Sequence, residues 1–424
     1  MTADTRINRR SLLQLGLAAG AAALTTRYSF AAPAAGPARF VFVIMRGALD
    51  GLSVVPPYAD PDYARLRGEL AIAAPGATDG ALPLNGFFGL NPGLSFLQQA
   101  YTQRELLVLP SVATPYRERS HFDGQDVLEN GGTAPHASQS GWLNRALAAL
   151  PPPLKRGGQS GVALGQNVPL VLRGRAEVAS WSPSVLPDLD EDTLQRIADR
   201  YASDELLSKR LAEALSTDQW VAEAQAGSVP AAMSSTDASM QDSGGAQSNR
   251  STPQRYLQTV RTAAGFLARD DGPAVAVFDT TGWDTHFNEG GARGQLRNRL
   301  AVLDQSLAVL KESMGSAWAH TVVLLATEFG RTAAINGTRG TDHGTASSAL
   351  LLGGAVAGGR VLTDWPGLSA RTLYQQRDLK PTLDLRSVMK GVLHDHLQVS
   401  QRALNEEVFP DSGAASALSG LLRA

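Results

Sequence analysis

The chain has 424 residues, a net charge of −2 and no cysteine. That length is enough for a large α/β domain with a sizeable core, and the near-neutral charge gives no reason to expect a nucleic-acid partner. The missing thiols exclude disulfides, iron–sulfur clusters and thiolate zinc sites, so any metal must be held by Asp, Glu, His, hydroxyl, carbonyl or water.

Residues 1–35 read as an export address and short linker. Arg9-Arg10 sits within Asn8-Arg9-Arg10-Ser11-Leu12-Leu13, an Ala-rich apolar run extends from Leu12 to Leu24, and Ser29-Phe30-Ala31 offers small residues for cleavage. A paired arginine ahead of a mild apolar segment is the twin-arginine pattern. The expected partner is therefore the twin-arginine export machinery, and the expected location periplasmic or secreted. The run is shorter than a bilayer requires, and no later stretch is apolar enough to span one, so no stable membrane anchor is expected. Residues 36–424 then make one α/β domain.

Within that domain Arg39 to Met45 is the first buried strand, and Gly47, Asp50 and Gly51 form the loop after it. Asp50 is either a turn former or a group delivered to the strand's carboxyl end. Helices are expected over Pro61–Leu70 and from Asn91-Pro92 through Tyr101, and a second strand over Glu105–Val112. Ser120 stands at the start of a helix running from His121 to Asn130. It is either an N-cap or a nucleophile where free helix N–H groups, with Arg117 and Arg119 close by in sequence, face an anion. A helix follows over Ser140–Leu150, then short strands over Gly161–Gly165 and Pro169–Arg173, and a charge-laced helical region from Asp190 to Trp220. Ala226 to Pro253 is rich in Ser, Ala, Gly, Asp and Gln, a surface insertion or linker.

Order returns with a helix over Tyr256–Ala268, a strand over Ala274–Asp279 and the loop Trp283-Asp284-Thr285-His286. Leu296, Leu300, Leu303, Leu307, Leu310 and Met314 recur at alternating four- and three-residue steps, a core-facing helix stripe. The strand Thr321–Thr327 completes a β-α-β unit, hence parallel strands. Immediately after it come Glu328, Phe329, Gly330 and Arg331, then Asp342 and His343 between Gly340 and Gly344. A further strand is expected over Ala349–Val356 and a helix over Ser387–His396. His136, His320, His394 and His396 read as structural or surface histidines.

No G-x-S-x-G, P-loop, H-E-x-x-H or G-x-G-x-x-G pattern is present. What stands out is Asp50, Asp284, His286, Glu328, Asp342 and His343, each just past a strand or in a Gly-framed turn. At one edge of a parallel sheet these groups would converge, and burying several acids together is unfavourable without a cation. Carboxylates with imidazoles suit a divalent ion such as Zn²⁺, Mn²⁺, Mg²⁺ or Ca²⁺.

The ordered set RGALDG, RSHFDGQDVLENG, GWDTH, TEFGR and GTDHG resembles the exported bacterial proteins grouped as domain of unknown function 1501. That family is placed in the alkaline-phosphatase-like superfamily, with alkaline phosphatases, sulfatases and cofactor-independent phosphoglycerate mutases. The likeness covers nearly the whole mature chain and implies a large, mainly parallel sheet sandwiched between helices. It also implies Asp50 as the first-strand metal ligand and Ser120 as nucleophile. Asp284 with His286, and Glu328, resemble the later ligands, and His343 with Asp342 the final histidine step. Two departures stand out. Glu328-Phe329 occupies the place where two-metal enzymes carry Asp-His, and Asp284 lies unusually near His286 in sequence. One metal, an altered pair or none is compatible with them.

The implied chemistry is hydrolysis or transfer of a phosphate or sulfate ester of a small molecule or glycan. Arg331 and Arg119 would grip the ester oxygens, and His343 or His286 would ligate metal or donate a proton. A contrasting expectation is a non-catalytic periplasmic binding or scaffold protein that keeps the fold. A third is a metal-independent serine hydrolase using Ser120 with His121, against which stands the poor mutual geometry of adjacent residues.

Overall fold

Along Arg39–Met45 (β1) every residue is buried. Phe40, Phe42 and Ile44 enter one hydrophobic cluster while Val41, Val43 and Met45 enter another, so both faces of the strand must be covered, as in a parallel sheet wrapped by helices. The computed structural model describes residues 37–154, 160–165, 167–182, 191–201, 203–204, 206–209, 211 and 252–423. The paired-arginine segment, and residues 226–251 of the Ser/Ala/Gly-rich stretch, lie outside the described residues.

In chain order β1 is followed by helices α1 (Gly51–Val54), α2 (Tyr63–Arg67) and α3 (Ser95–Thr102), strand β2 (Leu106–Ala113), and helices α4 (His121–Asn130) and α5 (Trp142–Ala148). Next come β3 (Gly161–Leu164), β4 (Val178–Trp181), α6 (Glu191–Tyr201), α7 (Thr252–Ala268), β5 (Val275–Thr280), α8 (Gln295–Met314) and β6 (Thr321–Ala326). Then come β7 (Ser347–Leu352), β8 (Arg360–Val361), β9 (Leu383–Asp384) and α9 (Leu385–Asp395), followed by a short helix over Gln401–Ala403.

The described residues form a nine-stranded sheet in the order β8-β2-β7-β6-β1-β5-β3-β4, with β9 also on β2. β7 runs antiparallel between β2 and β6, and the other pairings in this sheet are parallel. The α8 stripe Leu296, Leu300, Leu303, Leu307, Leu310 packs with α7 and α3 against one face. Trp142, Leu143, Val388, Met389 and Val392 of α5 and α9 cover the other. The expected helix-sandwiched, mainly parallel sheet is what is found. Its direction has a consequence for chemistry: the carboxyl ends of β1, β2, β5 and β6 and the start of β7 share one edge, where open α/β sheets place their sites.

Local expectations fail in instructive places. Pro169–Arg173 is not a strand but a 3₁₀ turn, Leu170–Leu172, and the edge strand is Val178–Trp181 instead. The Leu-Val-Leu run is apolar because Val171 and Leu172 are buried, while the Val171 N–H donates to Glu129 Oε2 (3.0 Å) rather than to a ladder. A short apolar run does not reveal which burial mode it serves. Helix Pro61–Leu70 breaks at Gly68, whose φ of +50° ends α2 and starts a 3₁₀ turn.

His396 donates from Nε2 to the Arg39 carbonyl (2.8 Å), pinning α9 to the start of β1. Burial pushes its pKa from 6.5 down to about 4, partly offset by that carbonyl. A base held neutral in the fold but protonated more readily when unfolded destabilises the protein as pH falls from about 6.5 towards 4. His396→Gln, which keeps a donor, should lose less stability between pH 7 and pH 5 than the parent when urea midpoints are compared. Identical slopes would remove the assignment.

Candidate metal centre

Four loops meet at the shared sheet edge, and the backbone fit is close. A Cβ on Gly330 would lie 1.8 Å from the Ala346 carbonyl oxygen, and one on Gly47, at φ +120°, 2.7 Å from the Asp284 nitrogen. Glycine is required at both crossings. Arg331, 1% exposed, ties the loops together. Its Nε donates to Ala48 O (2.7 Å), Nη1 to Thr341 O (3.1 Å), and Nη2 to Gly47 O (3.0 Å) and to the Asp284 carboxylate.

Into this frame project three imidazoles. His121 Nε2 lies 3.5 Å from Asp284 Oδ1, His343 Nε2 3.4 Å, and His286 Nε2 3.1 Å, with His286 and His343 Nε2 atoms 3.0 Å apart. Each ring's other nitrogen is already engaged: His121 Nδ1 by Glu328 Oε1 (2.8 Å), His343 Nδ1 by the Arg119 carbonyl (2.9 Å), and His286 Nδ1 faces Asp342 Oδ1 at 3.4 Å. In the tautomer that donates from Nδ1 to these acceptors, each ring keeps its lone pair on Nε2. Three lone pairs and a carboxylate oxygen thus converge, an arrangement that repels itself unless a cation or extra protons sit between.

The donors pass a direct fit test. Tetrahedral bonds of about 2.0–2.1 Å place ligand atoms roughly 3.4 Å apart, close to the distances of the three Nε2 atoms from Asp284 Oδ1. His121 Nε2 is buried and makes no hydrogen bond. His121, Asp284 and His343 offer ligand atoms all within 4.8 Å of one another, and His286 adjoins this trio through Asp284 Oδ1 and His343 Nε2. Holding each Nδ1 by an acceptor is the way metal-binding histidines are oriented. The side chains of Asp284 and His286 are 44% and 41% exposed, so the centre opens to solvent on their side.

Charge follows the same pattern. Burial works against ionising Asp284, but the Arg331 guanidinium and the adjacent imidazoles hold its pKa below the ordinary value. Glu328, wholly buried, is likewise held low despite burial by His121, Thr327 and the Gly47 N–H. Its hydrogen bond to Glu328 raises the His121 pKa, whereas burial and the neighbouring His121 lower that of His343.

The residues singled out from sequence therefore divide by placement. Asp284, His286 and His343 bring donor atoms together, joined by His121, which the sequence suggested only as a partner of Ser120. Glu328 and Asp342, expected as ligands, face the Nδ1 sides of His121 and His286 instead. Asp50 is drawn elsewhere: 1% exposed, it pairs with buried Arg67 and caps α1 through the Leu52 N–H. The Arg67 guanidinium and neighbouring hydrogen-bond partners outweigh burial and keep Asp50 ionised, while burial and Asp50 push Glu289 well above the usual carboxylate range. Arg331 has its donors committed to three loops rather than to an ester. Arg119 is committed as well, to Asp378 Oδ2 (3.0 and 2.8 Å) and Gln375 Oε1 (2.6 Å). Ser120 occupies the N-cap position of α4 but makes no side-chain capping bond.

No curated protein matches the chain. Solved structures with a similar course include the C-terminal periplasmic domain of EcEptC from Escherichia coli in complex with zinc, at 10% identity over 75% of this chain and 73% of that one, TM-score 0.34. Two others are the phosphonate monoester hydrolase of Agrobacterium radiobacter (9% identity, 85% and 74% covered, TM-score 0.32) and the PsFucS1 sulfatase from Pseudoalteromonas sp. (13%, 76% and 64%, 0.31). At such scores the likeness is too distant to transfer a substrate or a residue's role. Sequence similarity reaches further: residues 105–408 match the family described as protein of unknown function (DUF1501), and the chain belongs to it.

Proposed function

We propose that the protein is a metal-dependent hydrolase or transferase acting on phosphate or sulfate esters, built around one ion held by His121, Asp284, His286 and His343. The observation that carries this reading is the convergence of three Nε2 atoms, with each Nδ1 facing an acceptor, on one solvent-facing carboxylate. Three nitrogens and one oxygen favour zinc over magnesium or calcium, which take oxygen donors. A bound zinc ion would supply Lewis acidity towards an ester oxygen and lower the pKa of a hydroxyl or water beside it.

The chain's own groups supply the rest. α4 has ten residues and begins at the ligand His121, so its first N–H groups, lacking intrahelical acceptors, lie beside the centre. Because Ser120 leaves them uncapped by its side chain, they suit the oxygens of an anionic ester. Ser120 itself is the candidate nucleophile. We also infer delivery across the inner membrane by the twin-arginine route, which rests on Arg9-Arg10. A second reading, an exported binding protein with a structural ion, is favoured by one observation: Arg119 and Arg331 are both committed within the fold.

Elemental analysis should find one zinc per chain. The zinc-loaded protein should turn over members of a panel of aryl phosphates, phosphodiesters and sulfates. Ser120→Ala should lower kcat by about a hundredfold or more. Full activity in that variant removes Ser120 from its role, and zinc binding without turnover of any ester favours the binding protein.

A further inference from the structure

We propose that Phe122 and Phe287 form an aromatic rim that grips an apolar, planar group of the ester bound at the metal centre, making aryl and similar flat apolar esters the preferred substrate class. The inference rests on the ester-hydrolase reading above and adds the identity of the non-reacting part of the substrate.

Among the described residues the exposed large hydrophobic side chains are Phe122 at 90%, Phe287 at 63%, and Leu206 and Leu207 on another segment. Both phenylalanines directly follow a histidine of the centre, and those histidines, His121 and His286, each point Nε2 at the same Asp284 oxygen within 3.5 Å. Two aromatic rings left in water, each one residue from a histidine of the centre, gain nothing for folding, whereas a ligand's apolar face laid against them removes that surface from water.

Their presentation is rigid. The backbone beside Phe287 is tied from three directions: Asn336 Nδ2 and Thr338 Oγ1 donate to His286 O (2.8 and 2.7 Å), Gln295 Nε2 donates to Phe287 O and Asn288 O (3.1 and 2.9 Å), and the Asn288 N–H donates to Thr338 O (3.0 Å). Phe122 rides on the first turn of α4, which is seated so closely on Phe329 that a Cβ on Gly124 would meet that ring at 2.9 Å. A ring on a fixed backbone has only its own side-chain freedom to lose when a ligand arrives. The centre also has an aromatic wall of its own: Phe329 stacks on His121 with centroids 5.1 Å apart and lies 5.3 Å from His343. Phe329 is itself buried, so it backs the histidines, and the rings left for a ligand are Phe122 and Phe287.

The test uses non-hydrolysable ligands on the zinc-loaded protein, comparing phenylphosphonate with methylphosphonate by calorimetry. Phenylphosphonate should bind about tenfold more tightly. In Phe122→Ala/Phe287→Ala that ratio should fall close to one while zinc affinity, titrated separately, is unchanged. Equal affinities in the parent, or a ratio unaltered in the variant, overturn the proposal and leave the metal-centre reading standing. Failure to bind either phosphonate overturns both, as does failure to bind zinc. Should the two ligands bind equally while the parent, but not the variant, sediments with phosphatidylglycerol vesicles, the rings serve a lipid surface and the proposal is again overturned.

Discussion

Arg331→Met is expected to destabilise the fold by about 3–5 kcal/mol, the range for removing one partner from a buried charged network. Methionine fills much of the same volume, so the loss measures the guanidinium rather than a cavity. Nε and the two terminal nitrogens serve Ala48 O, Thr341 O, Gly47 O and the Asp284 carboxylate, and Trp283 O lies at 3.4 Å from Nη2. These acceptors come from the loops after β1 and β5 and from the turn before β7, while Arg331 itself follows β6. Without it, buried carbonyls from three loops lose their donor together, and each such group carries a desolvation penalty of about 1–3 kcal/mol. Arg331→Lys should recover only part of the loss, because three donors on one nitrogen cannot reproduce a planar fork aimed at separated acceptors. Urea unfolding of both variants checks this. A loss below about 1 kcal/mol for the methionine variant would mean that the loops hold one another without the arginine.

The same residue shows what was legible in advance. That Arg331, Glu328, Asp284 and His343 belong to one sheet edge could be read from apolar runs such as Thr321–Ala326 and Val275–Phe278, which end where these side chains begin. The α8 stripe and the parallel β-α-β unit were readable for the same reason: periodicity and burial are local properties. What each polar group faces is not local. Asp50 follows β1 as a first-strand ligand would, yet Arg67 neutralises it from seventeen residues away. Asp342 is the chain neighbour of His343 but its carboxylate faces His286 Nδ1. Glu328 follows its strand as a ligand would, but one of its oxygens accepts the Gly47 and Ala48 N–H groups and His121 Nδ1. His121 was hidden by Ser120 beside it, because adjacency in sequence suggested a pair whereas the ring turns towards Asp284 and His343. A sequence supplies the inventory of donors and acceptors; which of them are already satisfied is decided by loops hundreds of residues apart.

That distinction predicts the metal-binding phenotype. His343→Ala and His121→Ala are each expected to abolish stoichiometric zinc, because either removes one of the nitrogens converging on Asp284. Glu328→Gln should act differently. Its amide oxygen can take the place of Oε1 and still accept from Gly47, Ala48 and His121 Nδ1, while its NH₂ faces Thr327 Oγ1, now 2.8 Å from Oε2. The fold is thus spared and only the charge behind His121 is lost, which should weaken zinc about tenfold, the lower end for groups that orient a metal-binding histidine. In the parent, zinc at a hundred times its Kd should raise unfolding free energy by about 2.7 kcal/mol through binding to the folded state alone. The ordering parent, Glu328→Gln, then the two alanine variants, in both zinc titration and melting shift, is what the geometry requires. If His343→Ala bound zinc as tightly as the parent, or if metal left the parent's melting temperature unmoved, the converging imidazoles would be an internal hydrogen-bonded cluster, with protons rather than an ion between them.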